Sequence, residues 1–114
     1  MNEAAFRRVA LGLEGAIESA HMGHPDFRAA GRIFATLKGD GVHGMVKLTP
    51  QQQGAFVSDH PAAFMLESGA WGRQGCTRVV LRAVDPEILD EAMTLAWRNA
   101  VDHQPAKRKR GAKP

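Results

Sequence analysis

TRVVLRAVDPEILDEAMTLAWRNAV, residues 77–101, changes its hydrophobic period in the middle, and that change decides the fold class. Residues 77–84 alternate Arg78, Val80 and Arg82 against Val79, Leu81 and Ala83, and their β-branched content predicts a strand with one face in water. Asp85-Pro86 then supplies an N-cap and a proline at the first helical position. Beyond it Ile88, Leu89, Ala92, Met93, Ala96, Trp97 and Ala100 recur at helical spacing, opposite Glu87, Glu91, Thr94 and Arg98. A sheet wet on one side needs a cover for the other, and a helix with so broad an apolar stripe needs a flat surface to cover.

Toward the N-terminus, Asn2 is an expected N-cap, and Phe6, Val9, Ala10 and Leu13 line one face of a first helix. The period then drops to two. A short strand is expected at 17–22 and a long one at 27–38, with a turn at Gly39-Asp40-Gly41 and a returning strand at 43–49 that points Val46 and Leu48 inward. Thr49-Pro50-Gln51-Gln52 is a capping box that starts a short helix, limited by Gly54 and His60-Pro61. Residues 63–67 are expected as a brief strand or extended segment, and 68–75 as a loop. Strands flanked by terminal helices predict an α+β two-layer sandwich, an antiparallel sheet with the N- and C-terminal helices packed on one face.

A chain of 114 residues is the size of one ordinary domain. We expect it to occupy 1–103, followed by a disordered basic tail at 104–114, which has no apolar residue larger than Ala to offset the entropy of ordering. The basic character belongs to that tail. Residues 1–105 carry ten Lys and Arg against all twelve Asp and Glu, and Lys107, Arg108, Lys109, Arg110 and Lys113 convert this deficit into a net +3. The lone Cys76 has no internal partner and fits a reducing compartment. No apolar run is long enough for a membrane span and the N-terminus lacks a signal-peptide pattern, so a cytoplasmic location is expected and a membrane partner is not.

Alternation supplies the sharpest functional expectation. If Ile33, Ala35, Leu37, Val46, Leu48, Val79 and Leu81 face the helices, then Arg28, Arg32, Phe34, Lys38, Lys47, Arg78 and Arg82 share the other face. Phe27 keeps the parity of Ile33 and is expected inside, whereas Phe34, with Trp71, is expected outside. Such a face offers cations for phosphates and aromatic rings for bases, with Lys107, Arg108, Lys109 and Arg110 as an auxiliary arm. Nucleic acid is the partner these features suggest, and the tail taken alone fits RNA, an acidic membrane surface or an acidic protein equally well. The plainer explanation is that Arg and Thr keep a sheet face soluble and discourage edge pairing.

Other motifs carry less. Gly69–Gly75 is glycine-rich, but it precedes a strand, whereas phosphate loops follow one and open a helix. Cys76 has no His or Asp at nucleophile spacing, and no catalytic residue is assigned. His21 and His24 straddle an expected turn without a Cys or acidic companion, and His43 and His60 flank loops, so neither a metal nor a cofactor is expected.

Gly31-Arg32-Ile33-Phe34-Ala35-Thr36-Leu37, followed by Val46-Lys47-Leu48 and Pro50, resembles the MmcQ/YjbR-like family. That family shows a Gly-Lys/Arg-x-Phe-Ala strand, a Val-x-Leu strand around a lysine, a Trp before the last strand and a closing helix, in the order found here. Two departures mark a divergent member. Trp71 is separated from the last strand by Gly72–Cys76, and Ala96-Trp97 stands where many members carry Ser-Tyr. The resemblance implies a frataxin/CyaY-like fold and a DNA-binding, non-enzymatic role. Iron donation, associated with acidic first helices in frataxin relatives, is disfavoured by Arg7 and Arg8 beside Glu3 and Glu14. Two other readings stay open: a protein–protein or small-ligand module without a nucleic-acid role, and an enzyme using the Gly69–Gly75 loop with Cys76 or a histidine.

Overall fold

The Asn2 side chain accepts a hydrogen bond from the Ala5 backbone N–H at 2.9 Å and so caps helix α1, Glu3–Leu11. The computed structural model describes residues 1–103; the expected tail at 104–114 lies outside the described residues. After α1 come β1 (Ile17–His21), β2 (His24–Ala29), β3 (Arg32–Leu37), β4 (His43–Lys47), α2 (Pro50–Asp59), β5 (Phe64–Leu66), α3 (Gly69–Arg73), β6 (Cys76–Val80) and α4 (Pro86–Val101). The strands form one six-stranded sheet in the order β1-β2-β3-β4-β6-β5, and every neighbouring pair is antiparallel.

Three local signals hold as expected. The Thr49 hydroxyl accepts from Gln52 N at 3.1 Å while Gln52 Oε1 accepts from Thr49 N at 2.9 Å, completing the capping box of α2. Asp85 caps α4 by accepting from Glu87 N at 2.9 Å. Asp40 closes the β3–β4 turn by accepting from Val42 N and His43 N and by meeting His43 Nδ1 at 2.8 Å. That hydrogen bond from His43, with the two backbone N–H groups, holds the Asp40 carboxyl well below its ordinary range.

The expected long strand at 27–38 is two strands. Ala30 and Gly31 both take positive φ, 53° and 78°, and reverse the chain between the closing pair Ala29 and Arg32. Met22 and Gly23 do the same between β1 and β2, at 53° and 82°. Positive φ at both central residues is the requirement of a two-residue hairpin turn with the right twist, a position that Asn usually takes. The expected strand at 77–84 is also shorter. It stops at Val80, and Leu81–Val84 form a turn in which Val84, not Ala83, is buried. Within the expected loop at 68–75, Gly69–Arg73 is the short helix α3.

Register β2–β3 contains a bulge. Arg28 pairs with Ile33 and Phe27 with Ala35, so Phe34 is an extra residue on β3. Phe34 and Ala35 both point to the helical side and are fully buried, while Ile33 and Thr36 turn outward. The core under the helices joins Phe27, Phe34, Leu37, Val46, Phe64 and Val79 of the sheet to Phe6 and Ala10 of α1 and to Leu89, Ala92, Met93 and Ala96 of α4. Trp97, expected as core, packs at its margin, and its Nε1–H donates to the Glu14 carbonyl at 2.8 Å.

A left-handed alanine costs about 1–2 kcal/mol that asparagine largely avoids. Ala30→Asn should therefore raise the unfolding free energy by about 0.5–1 kcal/mol in urea titration, and an unchanged or lower midpoint would contradict the turn described here.

Candidate nucleic-acid interface

The outer face of the sheet, away from the helices, collects the polar residues that alternation sends there, and with them two acids that the expectation had not counted. Asp26 lies beneath Arg28, whose Nε and Nη2 donate to Oδ1 and Oδ2 at 2.8 and 3.1 Å. This bond is the main cause that raises the Arg28 pKa above its ordinary value. Glu67 accepts from Lys38 Nζ at 3.0 Å and from Arg78 Nη2 at 2.9 Å. Burial pushes the Glu67 carboxyl up, but the hydrogen bonds and charges of Arg78 and Lys38 outweigh it and hold the group below its ordinary value. Arg78 Nε is buried and has no hydrogen-bond partner among the described residues. Three of the expected free cations are thus paired.

Phe34 is fully buried by the bulge and offers no ring to a ligand. Arg82 is exposed, but it sits in the turn after β6, where Leu81 N donates to Val42 O, at the β3–β4 turn end of the sheet. Lys47 lies at the opposite end of β4, across from Cys76. Arg32 shares that end. Lys107, Arg108, Lys109 and Arg110 lie outside the described residues. Among the described residues, the sheet cations left without an ion-pair partner at the Lys47 end are therefore Arg32 and Lys47.

These two line a cleft of about 470 Å³ with Gln74, Asn99, Asp102 and His103. Asn99 positions it, because its Nδ2 donates to the Lys47 carbonyl at 3.2 Å and to Gln52 Oε1 at 2.9 Å, tying α4 to β4 and α2. The cleft brings the N-terminal end of α2 beside the C-terminal end of α4, two dipole ends of opposite sign that largely offset. Its electrostatics is left to the side chains. Asn99 and Gln74 were not singled out by sequence reasoning, since only the tertiary fold brings them to β4.

A second hollow, a trough of about 370 Å³, occupies the outer face itself, with Ile33, Thr36 and Met45 along it and Trp71 and Ser68 at one side. Ile33 and Lys47 line both hollows. Trp71 is 65% exposed because α3 docks by its opposite side. There a Cβ on Gly72 would stand 1.8 Å from the Glu67 carbonyl oxygen, and buried Gln53 Nε2 donates to the carbonyls of Gly72 and Cys76, both at 3.0 Å. Cys76 also lines the trough but is buried, which pushes its thiol up against the lowering influence of Lys47. Burial thus disfavours the thiolate form at Cys76.

His21 and His24 face each other across the Met22-Gly23 turn. Among the described residues no group of three or more His, Cys, Asp or Glu is gathered to hold a metal ion. On α1, Arg7 pairs with Glu18 at 2.9 Å and Glu3 accepts from Gly41 N at 3.1 Å. No helix among the described residues is long and apolar enough to cross a membrane.

Removing the charge of Glu67 strands two cations that are each about a third exposed. Glu67→Gln should cost about 1–3 kcal/mol at neutral pH, less than a fully buried pair because water screens the partners. Since the folded pKa lies below 4.5, the carboxylate's contribution is complete above that pH and is lost as pH falls through the folded value. Thermal melts of the two proteins should therefore converge in acid; a gap that persists or widens there would show that charge is not what holds this corner.

The YjbR family model matches residues 11–99. Among solved structures, Deinococcus radiodurans protein DR2400, with the family domain DUF419, superimposes with a TM-score of 0.68 at 18% identity, covering 95% of this chain and 86% of that one. Likeness at that identity concerns the fold, an α+β arrangement with a six-stranded antiparallel sheet and helices. No curated protein matches the chain. The family match spans most of the described residues, including all six strands, and on it the chain belongs to the YjbR family.

Proposed function

We propose that this chain is a small, non-enzymatic nucleic-acid-binding protein, with DNA as its partner, and that it holds phosphates at the cleft where Arg32 and Lys47 meet. The observation that carries this reading is the placement of these two cations, which have no ion-pair partner among the described residues, at the same cleft as His103, from which the sequence runs on to Lys107, Arg108, Lys109 and Arg110. At most ~3.6 Å per residue, Lys107 stays within about 15 Å of His103 in any conformation. The basic segment thus follows in sequence on the end of the sheet that carries Arg32 and Lys47. Arg28 and Arg78, held by Asp26 and Glu67, and Arg82, at the far end of the sheet, stand outside this phosphate site. Packing of α1 and α4 on one face of the antiparallel sheet supports the frataxin/CyaY-like kinship as part of the same proposal.

A module for a protein or a small ligand, without nucleic acid, is the second reading, favoured by the exposure of Met65, Leu66 and Trp71 around the β5 side of the sheet. The two readings separate in a fluorescence anisotropy titration with labelled DNA across a salt series. For the full chain, affinity should fall steeply with salt, with a slope of about −0.7 to −0.9 per phosphate contacted. Arg32→Ala/Lys47→Ala should make that slope shallower by about 1.4–1.8 and weaken binding at low salt. Residues 1–105 alone should still bind, more weakly. Binding that vanishes with residues 106–114 yet ignores Arg32 and Lys47 would reduce the tail to a generic polycation and favour the second reading.

A further inference from the structure

The trough differs in character from the cleft beside it. Its walls are mostly apolar, Ile33, Thr36 and Met45 with the exposed face of Trp71, and its volume falls at the lower end of the range for small-molecule pockets. Its polar groups are few: the His21 imidazole, the Ser68 hydroxyl, the Cys76 thiol, the Lys38–Glu67 pair and the ammonium of Lys47. The backbone that carries Trp71 is also held in place, since α3 is clamped through Gly72 and Gln53. A flat ring bearing an anionic group is the chemistry that meets all of these features.

We infer that the trough seats one unstacked nucleobase flat against the Trp71 indole, with its phosphate at Lys47 and the strand continuing past Ile33 to Arg32. The inference rests on the nucleic-acid reading above and names the kind of nucleic acid: a single strand. Two observations join the hollows into one path, the sharing of both Ile33 and Lys47 between them. A duplex keeps its base faces covered by stacking and cannot present one to the indole, whereas a single strand can. A base-carrying free mononucleotide has the same chemistry, so the test separates the two sources.

Full-length protein is titrated against fluorescein-labelled oligo(dT) and against a duplex of equal length, using wild type, Trp71→Ala, Trp71→Phe and Arg32→Ala/Lys47→Ala, with circular dichroism melts of each. Thymidine monophosphate serves as competitor. Trp71→Ala should weaken oligo(dT) binding by about 5- to 100-fold, the range for losing one base stack, and leave duplex binding unchanged, while Trp71→Phe retains most of the affinity. Full affinity of Trp71→Ala for oligo(dT), with Arg32→Ala/Lys47→Ala weakened, would retire the base seat and keep the phosphate site. Equal loss on both DNAs would also retire it. Thymidine monophosphate that competes as well as oligo(dT), nucleotide for nucleotide, would overturn the strand in favour of a mononucleotide. No binding by wild type to either DNA would remove both the seat and the nucleic-acid reading.

Discussion

The extra residue at Phe34 sets the parity of β3, and the rest of the molecule is arranged around it. Side chains on a strand alternate, so one inserted residue moves everything on one side of it to the other face. Here it lets Phe34 and Ala35 both enter the core under α4, and it turns Ile33 outward together with Thr36. Without the bulge, a β3 that buried Ile33 and Ala35 would point Phe34 and Thr36 to the open face. That face would carry a large exposed ring, the core would lose its central phenylalanine, and the trough would lack Ile33. Core and candidate site are therefore two consequences of the same irregularity.

Charge is distributed with similar economy. Asp26 and Glu67 lie low on the outer face, and each draws down the cations above it, Arg28 in one case and Lys38 with Arg78 in the other. A sheet face that looks strongly basic by residue type is close to balanced in its middle. Of what remains, Arg82 stands alone at the β3–β4 turn end, while Lys47 and Arg32 share the other end without carboxylate partners among the described residues. On the proposed reading, two phosphate contacts and a basic segment would give weak, salt-sensitive, sequence-independent association. A stacking surface beside them adds affinity that salt does not screen, which is why the position of Trp71 matters more than its type alone would suggest.

Much of this was legible in the sequence where the determining interaction is local. Asn2, the Thr49–Gln52 box and Asp85-Pro86 act within one helical turn, and α1, α2 and α4 begin where those residues place them. The Ala30-Gly31 and Met22-Gly23 turns were not legible to the same degree. Their geometry asks for positive φ at a residue type that seldom adopts it, and adjacent pairing, rather than the turn's own chemistry, enforces it. The bulge escaped for a related reason: it is a property of two strands in register. Glu67 meets Lys38 across 29 positions of sequence, and Asn99 meets Lys47 across 52, so the neutralised face and the floor of the cleft appear only once the sheet is assembled. Trp71 was correctly expected outside, whereas Phe34 followed an alternation that the bulge breaks.

The most direct measurement is a proton–nitrogen correlation map of the full chain during titration with short oligo(dT). We expect shifts at Ile33, Lys47 and Ser68 and at the indole N–H of Trp71, continuous with shifts near Arg32 and Asn99, while Asp26, Arg28 and Arg82 stay still. Shifts centred on Arg28 and Arg82, or confined to residues beyond His103, would contradict a strand laid from the trough into the cleft.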